Sequence, residues 1–152
     1  MAESAGQSDR ASTDCGICSG LRHRLLQTDN WIVALNLNQD RLGKCMIALR
    51  RHETDALALT PVELDELWNV ARATRDAISA AFSPDHYNFM FLMNQDAHVH
   101  LHVIPRYSRT VTFAGESWPV LTSLDGERRS LPSTVLHEIG RAVGSHLSSR
   151  LD

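Results

Sequence analysis

The sequence predicts an α+β domain in which an antiparallel sheet of about five strands carries one long helix and a C-terminal helix packed on it. Three observations support this. Imidazoles and aliphatic residues alternate strictly through His98-Val99-His100-Leu101-His102-Val103, a capped helix start stands at Thr60-Pro61-Val62-Glu63, and the predicted elements run strand, strand, helix, strand, strand, helix. A length of 152 residues, 43% hydrophobic and 22% charged, suits one globular domain with a single core.

Residues 1–13 are rich in Ser, Ala, Gly, Gln and Asp and lack periodic apolar positions, so they are expected to form a flexible tail. The run 20–26 reads as a short helix. Residues 31–37 (Trp31-Ile32-Val33-Ala34-Leu35-Asn36-Leu37) and 45–49 (Cys45-Met46-Ile47-Ala48-Leu49) read as two strands of an antiparallel hairpin with a polar loop ending in Gly43. Thr60 as N-cap, Pro61 at the first helical position and Glu63 closing a capping box start a helix that runs to about Phe82. Leu64, Leu67, Trp68, Ala71, Ile78 and Phe82 recur at helical spacing along it and are expected to cover the sheet, before Ser83-Pro84-Asp85 ends the helix. Two further strands, 88–93 and 98–104, are expected to flank the four-residue connection Asn94-Gln95-Asp96-Ala97, which places the histidine strand inside the sheet. Beyond Arg109 a short strand is expected near 110–113. A last helix carries Leu136, Ile139, Val143 and Leu147 on one face.

The histidine strand is also the main functional signal. At the two-residue period of a strand, His98, His100 and His102 share one face while Val99, Leu101 and Val103 pack beneath it. Clustered imidazoles bind metals or do chemistry on phosphates. Cys15 and Cys18, with two residues between them, fit a reduced metal or redox pair better than a disulfide framework, and Cys45 inside an apolar run reads as core.

The remaining candidates are weaker. His23, His86, His137 and His146 read as surface residues, and Trp31 and Trp68 as core. Trp118 could line a pocket, while Arg50, Arg51 and Arg106 fit either a phosphate cluster or a solvated strand end. With 15 basic and 18 acidic residues the net charge is -3, so nothing in it favours a nucleic-acid polymer or an anionic membrane as partner. No run of ~18 apolar residues and no apolar segment after Met1 is present, and a cytoplasmic location is the expectation.

From about Cys15 to Tyr107 the chain resembles the histidine triad family of nucleotide hydrolases and transferases. The resemblance rests on His98-Val99-His100-Leu101-His102-Val103-Ile104-Pro105-Arg106, on the second-strand block from Gly43 to His52, and on Leu57-Ala58-Leu59-Thr60-Pro61 before the helix. It implies the histidine triad fold, a triad domain over 14–109, and a C-terminal extension over 110–152 packed on the same domain. It also implies cleavage at the α-phosphate of a nucleoside phosphate derivative, a dinucleoside polyphosphate or a nucleoside phosphoramidate, with a purine as the expected base, within a homodimer. His100 would be the nucleophile that forms a nucleotidyl-histidine. Asn36, Asn94, Gln95 and His102 would contact the substrate. Similarity to zinc-containing members implies a structural zinc held by Cys15, Cys18, His52 and His98. Lys44 and Asn36 depart from the family pattern, which commonly has histidine and aspartate there, and Asn94-Gln95 stands where many members carry a glycine-rich loop with a hydroxyl residue. Two other readings remain open: a purine-nucleotide-binding module with little turnover, and a zinc hydrolase using the three histidines as ligands.

Overall fold

The computed structural model describes residues 14–123 and 126–147; the tail expected over 1–13 lies outside these residues. Strands β1 (Arg24–Gln27), β2 (Trp31–Leu35), β3 (Cys45–Leu49), β4 (His86–Met90) and β5 (His100–Arg106) form an antiparallel sheet in the order β1-β2-β3-β5-β4. Helices α1 (Pro61–Phe82) and α2 (Ser133–Leu147) pack on one another, with α1 over β2, β3 and β5 and α2 over β1. A separate hairpin joins β6 (Val111–Phe113) to β7 (Glu116–Trp118). The α+β class and the five-stranded sheet are as the sequence predicts.

Side-chain alternation sorts the two faces of the sheet. Trp31, Val33, Leu35, Cys45, Ile47, Leu49, Val99, Leu101 and Val103 are all odd-numbered and join the core with Val70, Ala77 and Ile78 of α1 and Ile139 and Val143 of α2. The intervening positions face the other way. There Met46 lies opposite His102 and Ala48 opposite His100 in the β3–β5 register. Ala48 packs with Cys15 and Ile17 of the N-terminal segment, which covers this second face. The histidine strand is therefore internal and held from beneath by a fully buried apolar face.

Helix α1 follows its sequence signals closely. The Thr60 hydroxyl accepts from the Glu63 N–H at 3.2 Å while the Glu63 carboxylate accepts from the Thr60 N–H at 2.9 Å, and Ser83 ends the helix in the left-handed region at φ 51°. Arg51 then binds Glu63 at 2.7 Å and ties the end of β3 to the helix start. The buried stripe, however, runs through Leu67, Val70, Ala71, Ala73, Thr74, Ala77 and Ile78. Leu64 and Trp68 are turned outward, Trp68 to 58% exposure, because the helix sits on the sheet through its small residues and the bulky ones remain at the flank. Gly43 adopts φ +88° where the chain enters β3, and a Cβ there would meet the Phe82 ring at 2.9 Å.

Three further expectations are corrected. The run expected to be helical at 20–26 instead contains β1: Gly20 at φ 121° and His23 at φ 52° break helical geometry, and Arg24, Leu26 and Gln27 pair with Ala34, Val33 and Ile32 across a bulge. The connection between β4 and β5 runs from 91 to 99, longer than the four residues expected, because β4 ends at Met90 and ladder pairing resumes only at His100. Trp118 is buried, donating its indole N–H to the Gln39 carbonyl at 2.8 Å beneath the Arg129 guanidinium, and does not line the main cavity.

Candidate functional site

His98 precedes β5, and both of its ring nitrogens are engaged. Nε2 lies 2.7 Å from the Leu49 carbonyl, which can only accept, so Nε2 carries the proton and Nδ1 the lone pair. That Nδ1 faces Cys15 Sγ at 3.5 Å, Cys18 Sγ at 3.4 Å and His52 Nδ1 at 3.2 Å, and Cys18 Sγ is 3.3 Å from His52 Nδ1. All four donor atoms lie within 4.8 Å of one another.

The four separations between 3.2 and 3.5 Å are close to edges of a tetrahedron around zinc. Bond lengths of about 2.05 Å to nitrogen and about 2.3 Å to sulfur give edges of about 3.35 Å between nitrogens and about 3.55 Å between nitrogen and sulfur. Two thiols and two imidazoles are also a donor set that zinc prefers, and the hydrogen bond to Leu49 orients His98 as such ligands are usually oriented. Burial pushes the His98 pKa down, which favours the neutral imidazole that a metal needs. Cys45 stands apart as a core residue, its thiol pushed up to about 12 by complete burial.

The backbone carbonyl of His98 accepts a hydrogen bond from His100 Nδ1 at 2.6 Å. This assigns the tautomer. With the proton on Nδ1, the lone pair of His100 sits on Nε2, which lies 3.1 Å from His102 Nε2. His102 must then donate from Nε2, and its own Nδ1, buried and without a partner among the described residues, holds a lone pair. Burial, followed by the neighbouring His100 and Lys44, lowers the His102 pKa to about 4.

His100 and His102 open onto a cavity of about 410 Å³, a volume suited to a small ligand. Asn36, Asn94 and Gln95 line it, together with residues that sequence reasoning did not single out: Gly16, Ile17, Arg22, Asn38 and Arg128. Lys44 also lines it, with its ammonium 3.2 Å from the Asp40 carboxylate. Asp96 accepts the Gly16 N–H at 3.2 Å and so joins the cysteine segment to the loop carrying Asn94 and Gln95. Residues far apart along the chain meet here, and of the lining residues outside the expected substrate contacts only Lys44 carried a signal, its departure from the family pattern.

Arg50, Arg51 and Arg106 do not form a phosphate cluster. Arg50 donates to the Thr28 and Asp29 carbonyls, Arg51 binds Glu53 and Glu63, and Arg106 donates to Asn88 and to the Leu121 carbonyl. Nor do the three histidines converge as one ligand set, since His98 spends both nitrogens elsewhere. A zinc hydrolase with a three-histidine site has no support in this geometry.

The family model for the HIT domain matches residues 22–109, more than half of the chain, and the protein belongs to that family. A comparison with curated proteins gives no match. Similar solved structures include a Zn-bound histidine triad family protein from Mycobacterium smegmatis at 18% identity and TM-score 0.67, with 90% of this chain and 94% of that one covered. A HIT family protein from Bacillus anthracis aligns at 25% identity and TM-score 0.58 over 63% of this chain and 75% of its own. A hypothetical histidine triad nucleotide-binding protein from Sulfolobus tokodaii aligns at 15% identity and TM-score 0.65, over 84% of each chain. Family membership points to nucleotide binding or to nucleotide hydrolase or transferase activity. No helix among the described residues is long and apolar enough to cross a membrane.

Proposed function

We propose that this protein is a nucleotide hydrolase or transferase that cleaves at the α-phosphate of a nucleoside phosphate derivative through a covalent nucleotidyl intermediate on His100. The observation that carries this reading is the 2.6 Å hydrogen bond from His100 Nδ1 to the His98 carbonyl, which leaves Nε2 unprotonated at the cavity wall. A nucleophilic imidazole needs this state. Nε2 forms a bond to phosphorus as the bond to the leaving group breaks, and the leaving group departs with that electron pair. Water or another acceptor then attacks phosphorus and gives up its proton to solvent, and the N–P pair returns to Nε2. His102 Nε2–H, 3.1 Å from the nucleophile, is close enough to donate to a phosphoryl oxygen and stabilise developing charge. Asn36, Asn94 and Gln95 line the same cavity and supply neutral hydrogen-bonding groups for the ribose, the base and the phosphate. A purine nucleotide is the proposed substrate, and a nucleotide-binding role without turnover is the reading that the covalent step separates from this one. Intact-mass analysis after a rapid quench with a dinucleoside polyphosphate is expected to show a nucleotidyl adduct on the peptide containing His100. An adduct on another residue would overturn the assignment.

Cys15, Cys18, His52 and His98 would hold a structural zinc. With four protein ligands the metal leaves no position for water, and what it supplies is a clamp joining the N-terminal segment and the end of β3 to the catalytic strand. None of Cys15, Cys18 and Cys45 is in a disulfide, which is in keeping with the cytoplasmic location that belongs to this proposal.

A homodimer is part of the same proposal. Strand β4 is an outer strand of the sheet, and Phe89 on it and Phe91 and Leu92 just after it are exposed, an edge of the kind that proteins cover by pairing. Sedimentation is expected to give a dimer at micromolar concentration, and a monomer there would contradict it.

A further inference from the structure

The cavity wall carries more positive charge than one α-phosphate calls for. Arg22, Lys44 and Arg128 line it, and Asp96 is its one acidic residue among those described. Lys44 shares the buried Asp40 carboxylate with Arg41, whereas the side chains of Arg22 and Arg128 make no hydrogen bond or ion pair with any described residue. This wall belongs to a chain with a net charge of -3, so the positive field is local to the cavity.

Arg128 comes from the C-terminal extension, beyond residues 22–109 of the family match. Its placement is built in. The next residue, Arg129, donates its backbone N–H to Asn38 Oδ1 at 2.9 Å and accepts at its carbonyl from the Gln39 N–H at 3.2 Å. The Arg129 side chain binds the Glu116 carboxylate at 2.8 Å and covers the buried Trp118 ring, whose own N–H is bonded to the Gln39 carbonyl. The extension is thus fastened to the β2–β3 loop that carries Asn36, Asn38 and Lys44, and these fastenings hold the backbone at Arg128 beside the cavity.

We propose that Arg22 and Arg128 form a phosphate subsite for the leaving group, which makes the preferred substrate a nucleotide whose leaving group is itself a phosphate chain, such as a dinucleoside polyphosphate, over one with an amine leaving group. The inference rests on the nucleotidyl-transfer reading given above. A guanidinium presents a planar fork that matches phosphate oxygens, and two unpaired forks at a wall without carboxylate partners fit phosphates beyond the α position. The leaving chemistry agrees. When His100 Nε2 bonds to phosphorus and the Pα–O bond breaks, a phosphate-chain leaving group takes the electron pair and departs as an anion that needs no proton. An amine leaving group must first receive a proton.

The test compares kcat/KM for an adenosine dinucleoside tetraphosphate and for an adenosine 5′-phosphoramidate in the full chain and in the double variant Arg22→Gln/Arg128→Gln. The wild type is expected to favour the tetraphosphate at least ~10-fold. In the double variant the tetraphosphate is expected to lose at least ~10-fold more than the phosphoramidate, with a weaker salt dependence, as the loss of two exposed cation–phosphate contacts requires. Equal losses on both substrates, or none on either, would overturn the subsite while leaving His100 chemistry intact. If the wild type turned over neither substrate, the enzymatic reading would fall, and the subsite would then be decided by calorimetry with AMP and adenosine tetraphosphate. Tighter binding of the tetraphosphate that is lost in the double variant supports the subsite, and equal affinities overturn it.

Discussion

Replacing His100 by asparagine is expected to lower turnover by at least ~10³-fold, about 4 kcal/mol of transition-state stabilisation, while affinity for a nucleoside monophosphate changes by less than about tenfold. Asparagine keeps a polar side chain at the same place on β5, over Ala48 of β3, so the strand and its buried underside are preserved. It cannot form the N–P bond. Steady-state kinetics beside equilibrium binding separate the two effects. The comparison with His102→Asn sharpens the result: that variant removes a donor 3.1 Å from the nucleophile and is expected to cost less, since a single donor to a phosphoryl oxygen is worth about 10². Near-normal turnover in His100→Asn would overturn the mechanism whatever the binding data showed.

The second large effect concerns the metal set. Purified protein is expected to carry about one zinc per chain, and Cys15→Ser is expected to lower Tm by about 10 °C, from a loss of about 3 kcal/mol in a domain of this size, because metal binding free energy is coupled to folding. Cys15 is buried against Ile17 and Ala48, and its Sγ lies 3.5 Å from His98 Nδ1, so the substitution acts on the metal set and on the packing of the N-terminal segment over the second face of the sheet. Elemental analysis distinguishes these. Loss of zinc together with the fall in Tm supports the four-ligand site, whereas zinc well below one per chain in the unmutated protein after reconstitution would refute it. Turnover is expected to fall with zinc content, since the carbonyl that accepts from His100 Nδ1 belongs to the proposed ligand His98.

Helix α1, strands β2 and β3, the internal position of the histidine strand and the apolar face of α2 were all legible in the sequence, for a local reason. Each is specified by residues close together in the chain: the reciprocal Thr60–Glu63 cap, the two-residue alternation of Val99, Leu101 and Val103 against His98, His100 and His102, and the helical spacing of Leu136, Ile139, Val143 and Leu147. Cys15, Cys18, His52 and His98 were joined as a set through the resemblance, and the fold brings their donor atoms within 4.8 Å of one another.

Tertiary structure decided what depends on distant partners. Residues 24–27 carry Leu25 and Leu26 on a segment equally compatible with a helix. They become a strand because β2 offers a free edge and because Leu25 packs on the core beneath α2, where a Cβ at Gly140, more than a hundred residues further on, would lie 3.5 Å from it. Leu64 and Trp68 fit a helical apolar stripe as well as Val70 and Ala77 do. Only the approach of α1 to the sheet, through its smallest residues, selected which stripe was buried. The basic wall of the cavity has the same origin. Arg22 and Arg128 have no periodicity or spacing that relates them, and they line one cavity because backbone hydrogen bonds at Arg129 fasten the extension to the β2–β3 loop. Local pattern therefore determined the elements and singled out the proposed nucleophile His100, while long-range hydrogen bonding and packing determined which charges surround it.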